Sequence, residues 1–490
     1  MPFVAKEIIL VSTMSSPTKR QKLEADGDET ATTTGFSHPC LQFLPHVDGG
    51  RPFRIENSET VGTYVTAARR LEPGSLLFKM KSDYLITYKT VSSTPLSQII
   101  LSLPDISISP EELVWLNMIA WLNDKDENNP RRIFLQALSK VPPNASSWPT
   151  FLQEQLKGSN AYSVLDSSGA NDDTPGNVSA VKNLLNLLGD IRASIQTKRP
   201  NSKNDADDEA LSKATEILVE NPASSIFTEE SISWARGHFL SRRFPDLQPK
   251  IDAFAQHQDQ GEGDSLKDLV AKATAARATS APLQHLNGYG GKLSTLIPIL
   301  DLMNHRFDKA STCTLEVTAS GVEMRTGETT VEKGQELFYC YGDKSNEVLL
   351  QGYGFCVSDN ENDTITLKLR TDETGTTSKT FSIGRGGAEA IPVELWCAIA
   401  GVDPQREGAD QALEIGSGDL ERLLHFLKSK LDTLQAHPLM KREVIDEMDL
   451  SPDDKSLCHA RLSFIQIYKT GQREILEELI RDISSMLGDA

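Results

Sequence analysis

The sequence predicts an α+β chain in which strand-rich segments flank a long helical stretch and a helical domain follows. Three observations carry this. β-Branched and aromatic runs bounded by turn signals occur at residues 64–80 and return over 293–341. Apolar residues at helical spacing fill most of the interval between them, and leucine and isoleucine stripes at the same spacing fill the C-terminal part.

In chain order, residues 1–40 are expected to be a disordered tail, because their middle is rich in Ser, Thr, Asp, Glu and Lys and poor in large apolar side chains. Residues 41–92 form a first β-rich segment, with Tyr64-Val65-Thr66-Ala67, a turn at Glu72-Pro73-Gly74 and extended chain over 75–80. Residues 93–240 form a helical insertion. There Pro110-Glu111-Glu112 reads as an acidic first turn, and Leu113, Leu116, Ile119 or Ala120 and Asn123 share one face. Leu184, Leu185, Leu187 and Leu188 belong to a second helix, and 200–209 is a polar break.

The second β-rich segment spans 241–360, with strands at 293–300, 312–317, 321–325 and 335–341 and a Lys333-Gly334 turn before the last. It is interrupted by an inserted loop, 245–291, with a short helix at 266–276, to be read as a disordered loop or a lid. Residues 361–490 are the helical domain. After a strand at 364–368 come two stripes, Leu420, Leu424, Leu427, Leu431 and Leu434, then Ile475, Leu479, Ile483 and Met486.

A chain of 490 residues has room for two or three domains. Its 50 Lys and Arg against 69 Asp and Glu leave a net charge of −19, which repels phosphate backbones and argues against nucleic acid as partner. The six cysteines are scattered, with no C-x-x-C pair and no His at zinc-ligand spacing, so reduced thiols and no metal are expected. The apolar run Ile8-Ile9-Leu10-Val11 is far short of the roughly 18 residues of a membrane span. No membrane association, a cytosolic or nuclear location and a monomer are the resulting expectations; Lys19, Arg20 and Lys22 read as a minimal import signal or as solvated charge.

Two segments carry chemistry. In Leu296-Ile297-Pro298-Ile299-Leu300-Asp301-Leu302-Met303-Asn304-His305, an apolar strand ends in Asp, Asn and His. In the segment from Gly334 through Phe338-Tyr339-Cys340-Tyr341-Gly342 to Tyr353-Gly354-Phe355, one strand ends in Tyr-Gly and a second Tyr-Gly lies beyond it. In this order the sequence resembles the SET-domain methyltransferases, and within them the Rubisco large-subunit lysine methyltransferase group, whose SET domain is split by a helical insertion. Gly62 to Ala67 with Leu71 to Ser75 resembles the opening element, Ser241-Arg242-Arg243-Phe244 the end of the insertion, and residues 461–476 a late element of the substrate-binding domain.

The resemblance implies S-adenosylmethionine as cofactor and a lysine of a non-histone protein as acceptor, with a ribosomal protein or translation factor as the expected kind of substrate. Methyl transfer requires alignment, exclusion of water and a neutral amine. Tyr341 is the catalytic candidate, since a neutral phenol can orient the methyl group or the amine and the family places this tyrosine beside the transferred methyl. Tyr339, on the same strand face, is a rival. Gly62, Thr63, Arg242, Asn304, His305 and Tyr341 are the implied cofactor-binding residues, with Arg243 as a rival to Arg242 and no general-base role for His305.

Asp301 reads either as a substrate-binding carboxylate or as a turn cap, and Tyr353 either as a wall of the lysine channel or as a core tyrosine. The sequence departs from the family in three respects: Gly62-Thr63-Tyr64 stands where Gly-x-Gly is usual, the 245–291 loop is long, and Cys-rich flanks are lacking. Two alternatives remain, a non-catalytic SET scaffold that binds a partner and a protein-histidine methyltransferase, which would need a differently furnished pocket.

Overall fold

Alternating apolar residues in β1 (Phe53–Ser58) and β2 (Gly62–Ala67) make them an antiparallel pair with Ile55 opposite Val65, and the inward set, Phe53, Ile55, Val65 and Ala67, is buried. A computed structural model of the chain describes residues 51–58, 62–165, 177–198, 208–219, 225–244, 294–307, 311–318, 320–370, 378–402 and 415–488, with 41, 247 and 250. The expected tail at 1–40, the short helix at 266–276 and nearly all of the 245–291 loop lie outside the described residues. The chain divides into two units, the first holding described residues up to Pro142 and from 177 to Gly342, the second holding 143–165 and everything from Asp343 onward.

In the first unit, β3 (Leu76–Lys81) enters a five-stranded sheet. Its helices are α1 (Tyr88–Ser92), α2 (Pro95–Leu101), α3 (Pro110–Leu122) and α4 (Pro130–Ala137). α3 starts as the sequence predicts, with Ser109 and Glu112 forming a capping box and Pro110 in its first turn. It does not present a single apolar face. Val114, Trp115, Met118 and Trp121 are buried along with Leu113, Leu116 and Ile119, because the helix runs through the core and is covered on nearly every side.

Within the second unit lie α5 (Thr150–Gln153) and α6 (Asn160–Leu165); the first unit resumes with α7 (Asn177–Lys198), α8 (Asp208–Val219) and α9 (Glu229–Arg242). The described helices of the first unit share one continuous core with the strands, Leu116, Leu188 and Phe239 lying in the same cluster as Val65, Phe78 and Met324. The 93–240 stretch is therefore not an autonomous domain. Part of it packs with the strands, and 143–165 packs with the C-terminal unit.

The strands then continue as β4 (Arg243–Phe244), β5 (Thr295–Leu296), β6 (Asn304–His305), β7 (Cys313–Thr318), β8 (Gly321–Thr326) and β9 (Phe338–Tyr339). The sheet order is β3-β8-β7-β9-β6, antiparallel except where β9 runs parallel to both β7 and β6. The long strands expected at 293–300 and 335–341 are shorter than predicted. Pro298 offers no N–H to a ladder and Ile299 takes a positive φ of 77°, so the chain leaves the sheet between β5 and β6.

The second unit contains α10 (Asn346–Tyr353), the hairpin β10 (Thr364–Arg370) and β11 (Ser378–Gly384), α11 (Val393–Ala400), α12 (Ser417–Gln435), α13 (Arg442–Asp446) and α14 (Pro452–Gly488). β11 is a strand that the sequence analysis did not identify. Leu420, Leu427 and Leu434 are buried as predicted, Leu423 replaces the half-buried Leu424 in the buried set, and Met486 is exposed at the end of α14. The contact boundary before Asp343 precedes the one drawn at 360/361, because α10 packs with α6 and α14.

Candidate active site

The chain reaches the candidate site through a strained turn. Ile299 is fully buried with a left-handed backbone, a conformation that costs a β-branched residue on the order of 1–3 kcal/mol and persists only where its surroundings hold it. The Leu302 and Met303 N–H groups donate to the Ile299 and Leu300 carbonyls, closing a single 3₁₀ turn. That turn delivers Asn304 and His305 into β6, where they pair with Phe338 and Tyr339.

Tyr341 lies two residues past β9 and is held at both ends by the 303–305 segment. Its backbone N–H donates to His305 Nδ1 at 3.0 Å, and its phenol donates to the Met303 carbonyl oxygen at 2.6 Å. Because Nδ1 accepts, a neutral His305 carries its proton on Nε2. The Tyr341 phenol spends its one proton on Met303, so what its oxygen offers a ligand is acceptor capacity.

Around Tyr341 runs a row of half-buried rings. Phe244 and Tyr339 are 5.9 Å apart between centroids, Tyr339 and Tyr341 6.4 Å, Tyr341 and His305 5.0 Å, and His305 and Phe307 4.8 Å. Such a wall favours cationic or sulfonium groups through its faces and sheds water along its edges. Sequence reasoning identified Tyr339, Tyr341 and His305; Phe244 was quoted only as part of a motif, and Phe307 was missed.

Asn304 donates from Nδ2 to Glu336 Oε1 at 2.7 Å. Glu336 stands opposite Thr66 of β2 in a bridge flanked by Ala67 N–H to Gln335 O and Leu337 N–H to Val65 O, so β2 lies against the segment leading into β9. Burial pushes the Glu336 carboxyl above the usual range, and the Asn304 amide and the Arg306 charge oppose that shift. The Arg306 guanidinium lies 3.8 Å from the centre of the Phe338 ring. Glu336 was quoted only as part of the segment that begins at Gly334 and was given no role, although a carboxylate at the entry to an apolar strand was its signal. Gly62 and Thr63 begin β2, paired with Ser58 and Asn57.

Arg242 and Asp301 meet each other. Arg242 Nη1 donates to Asp301 Oδ2 at 2.7 Å and to its carbonyl at 3.1 Å, with the two side chains only 7% and 2% exposed. Asp301 therefore braces the turn from within and is not a substrate-facing carboxylate; burial raises its pKa and Arg242 opposes the rise. On the other side of Arg242 is His238, which donates from Nε2 to the Ser139 carbonyl at 2.8 Å and is driven down to about 3, first by burial and then by the Arg242 charge. Arg243, the rival, pairs with Glu111 at 2.5 Å. Tyr353 belongs to the second unit, at the end of α10, its ring edge-on to Phe355 at 6.2 Å.

The structure thus brings Asn304, His305, Tyr339 and Tyr341 together and sets Arg242 and Asp301 behind them. The assembly offers an acceptor phenol, an amide and an aromatic wall, a set suited to orienting a cationic reactant. Among the described residues no group of three or more His, Cys, Asp or Glu could hold a metal ion, and no helix is long and apolar enough to cross a membrane.

No family model matches the chain. Over 74 residues it is 39% identical to the ribosomal lysine N-methyltransferase set10 of Schizosaccharomyces pombe, covering 15% of this chain and 14% of that protein. Over 73 residues it is 34% identical to the ribosomal lysine N-methyltransferase set11 of the same organism, covering 15% and 18%. The matches thus span less than a fifth of either relative. Among solved structures, the SET domain of LSMT bound to lysine and AdoHcy aligns with a TM-score of 0.59 at 15% identity over 91% of this chain and 89% of that one. Rubisco LSMT bound to AdoMet aligns with a TM-score of 0.59 at 14% identity over 92% and 91%. The chain has the α+β fold of these SET-domain structures.

Proposed function

We propose that this chain is an S-adenosylmethionine-dependent protein-lysine N-methyltransferase whose chemistry centres on Tyr341. The observation that carries the reading is the double anchoring of that residue, its phenol on the Met303 carbonyl and its N–H on His305, within a wall of aromatic rings. The likeness to its relatives supports it: the structures it resembles include one with AdoMet and one with lysine and AdoHcy, and set10 and set11 are ribosomal lysine N-methyltransferases. A ribosomal protein, met in the cytosol or nucleus, is the substrate class we propose.

The residues present fit such a donor. An α-ammonium group needs an acceptor, which the oxygen of the Asn304 amide supplies, and a sulfonium suits an aromatic wall. Asn304, His305 and the main chain of Gly62 and Thr63 would hold it, with Arg242 fixing the turn ahead of Asn304 through Asp301. When bound, S-adenosylmethionine supplies an electrophilic methyl carbon on a sulfonium.

The acceptor amine must lose a proton, which for a free lysine costs about 4–5 kcal/mol at neutral pH. Aromatic edges around Tyr341 exclude water and so weaken the amine's hold on that proton. The Tyr341 oxygen, its proton committed to Met303, accepts from a polarised C–H or from the amine N–H and aligns the two reactants. His305 keeps the backbone of Tyr341 in register.

The test is to incubate the full chain and its Tyr341→Phe variant with radiolabelled S-adenosylmethionine and purified ribosomal proteins, then map the label by mass spectrometry. Label on a lysine with the native chain alone is the expected result. Label on no protein, or equal label with both chains, overturns the reading.

A further inference from the structure

We infer that Glu336 is a positioning residue that determines which end of the Asn304 amide faces the methyl donor. The inference rests on the donor reading above and concerns a residue to which that reading gave no role.

An amide side chain is nearly symmetric in shape and opposite in chemistry at its two ends: the oxygen accepts, the nitrogen donates. An ionised carboxylate can only accept. With Glu336 Oε1 2.7 Å from Asn304 Nδ2, the amide is oriented with its nitrogen toward Glu336, and Oδ1 is turned away from it, where a ligand ammonium meets an acceptor. A protonated Glu336 both donates and accepts, and it satisfies the amide in either orientation. Amides in the reversed orientation would then present N–H groups to the ammonium, a repulsive contact.

The groups facing Glu336 come from three elements. Arg306, just past β6, favours the ionised form. Tyr64 of β2 faces the same carboxylate, and Glu56 of β1, the cross-strand neighbour of Tyr64, adds negative charge beyond it. Burial is the largest influence and raises the carboxyl above the ordinary range, so the switch in amide orientation falls at a higher pH than an exposed glutamate would give. Donor affinity is full where Glu336 is ionised and falls as the pH drops through its raised pKa.

A double-mutant cycle separates positioning from direct contact. Binding of S-adenosylhomocysteine to the full chain is measured by calorimetry for the native protein, Glu336→Gln, Asn304→Ala and the double variant. Glutamine presents both a donor and an acceptor and removes the preference. Glu336→Gln should weaken binding on the order of tenfold in the native background and cause no further loss in Asn304→Ala, as an effect routed through one hydrogen-bonded partner requires. Equal losses in both backgrounds, or no loss, overturn the inference.

A second measurement needs no substitution at 336: the acid weakening of binding seen with the native chain should flatten in Asn304→Ala, and its persistence there is equally fatal. Absence of binding by the native chain overturns the donor reading and the inference with it. Binding by the native chain with equal losses in both backgrounds overturns the inference alone.

Discussion

The guanidinium of Arg242 meets the carboxylate of Asp301 at 2.7 Å with both side chains withdrawn from water. This contact ties the end of α9 to the turn that sets Asn304 and His305, across a sequence separation of 59 residues. A buried pair of this kind is costly to break from one side, because the remaining charge has no compensation. Arg242→Ala should destabilise the chain by about 3–5 kcal/mol in urea unfolding, whereas replacing both residues by apolar ones of similar volume should cost far less. Equal losses in the two variants would show that the charge pair is not what holds the turn.

Tyr341→Phe removes the phenol and its bond to Met303 while keeping the ring stack. Its stability should stay within about 1 kcal/mol of native, because the bond to Met303 is half-buried and the ring contacts are kept. Methyl transfer should fall by on the order of a hundredfold or more, with affinity for S-adenosylhomocysteine little changed. Single-turnover rates and calorimetry check the two halves independently.

His238 provides a pH dependence. It is held neutral in the folded chain, at about 3, while an unfolded histidine titrates near 6.5. Between these values the unfolded state binds the extra proton, so stability is fully present above about pH 6.5 and declines as the pH falls, by up to about 1.4 kcal/mol per pH unit from this group. Unfolding free energies from about pH 4 to 7 should show a shallower slope in His238→Gln than in the native chain. Identical slopes would mean that His238 is protonated in the native protein.

In the second unit, Lys469 donates to the carbonyls of Gln155, Lys157 and His437 at 3.1, 3.0 and 2.7 Å, joining α14 to two loops of its own unit. Burial pushes its ammonium down to about 8. Lys469→Met keeps the length of the side chain and strands three acceptors, at a cost of about 2–5 kcal/mol. A change below about 0.5 kcal/mol in thermal or denaturant unfolding would mean that water serves those carbonyls equally well.

Local chemistry explains what was legible beforehand. The start of α3 at Pro110 and the leucine stripe of α12 depend on neighbours within a turn or two; the first lies where its residues predicted, and the second does so but for the exchange of Leu424 for Leu423. The strand expected over 293–300 is cut short to β5 because apolar β-branched residues mark burial as readily as extension. Ile299 is buried in a left-handed turn that its own side chain disfavours, which only the surrounding packing can impose. The role of Glu336 went unread because its meaning comes from Asn304, a partner 32 residues away in β6.

By itself, the sequence determined the α+β organisation, the first turn of α3, the helical stripes, and the order of an Asn-His segment before a later Tyr-Gly segment, because these are written in residue type and spacing. Tertiary structure alone decided that Asp301 turns inward to Arg242, that Tyr341 is clamped by Met303 and His305, and that Glu336 takes the nitrogen end of Asn304. Each is a contact between residues far apart along the chain. Which donor meets which acceptor across such a distance follows from sheet register and burial.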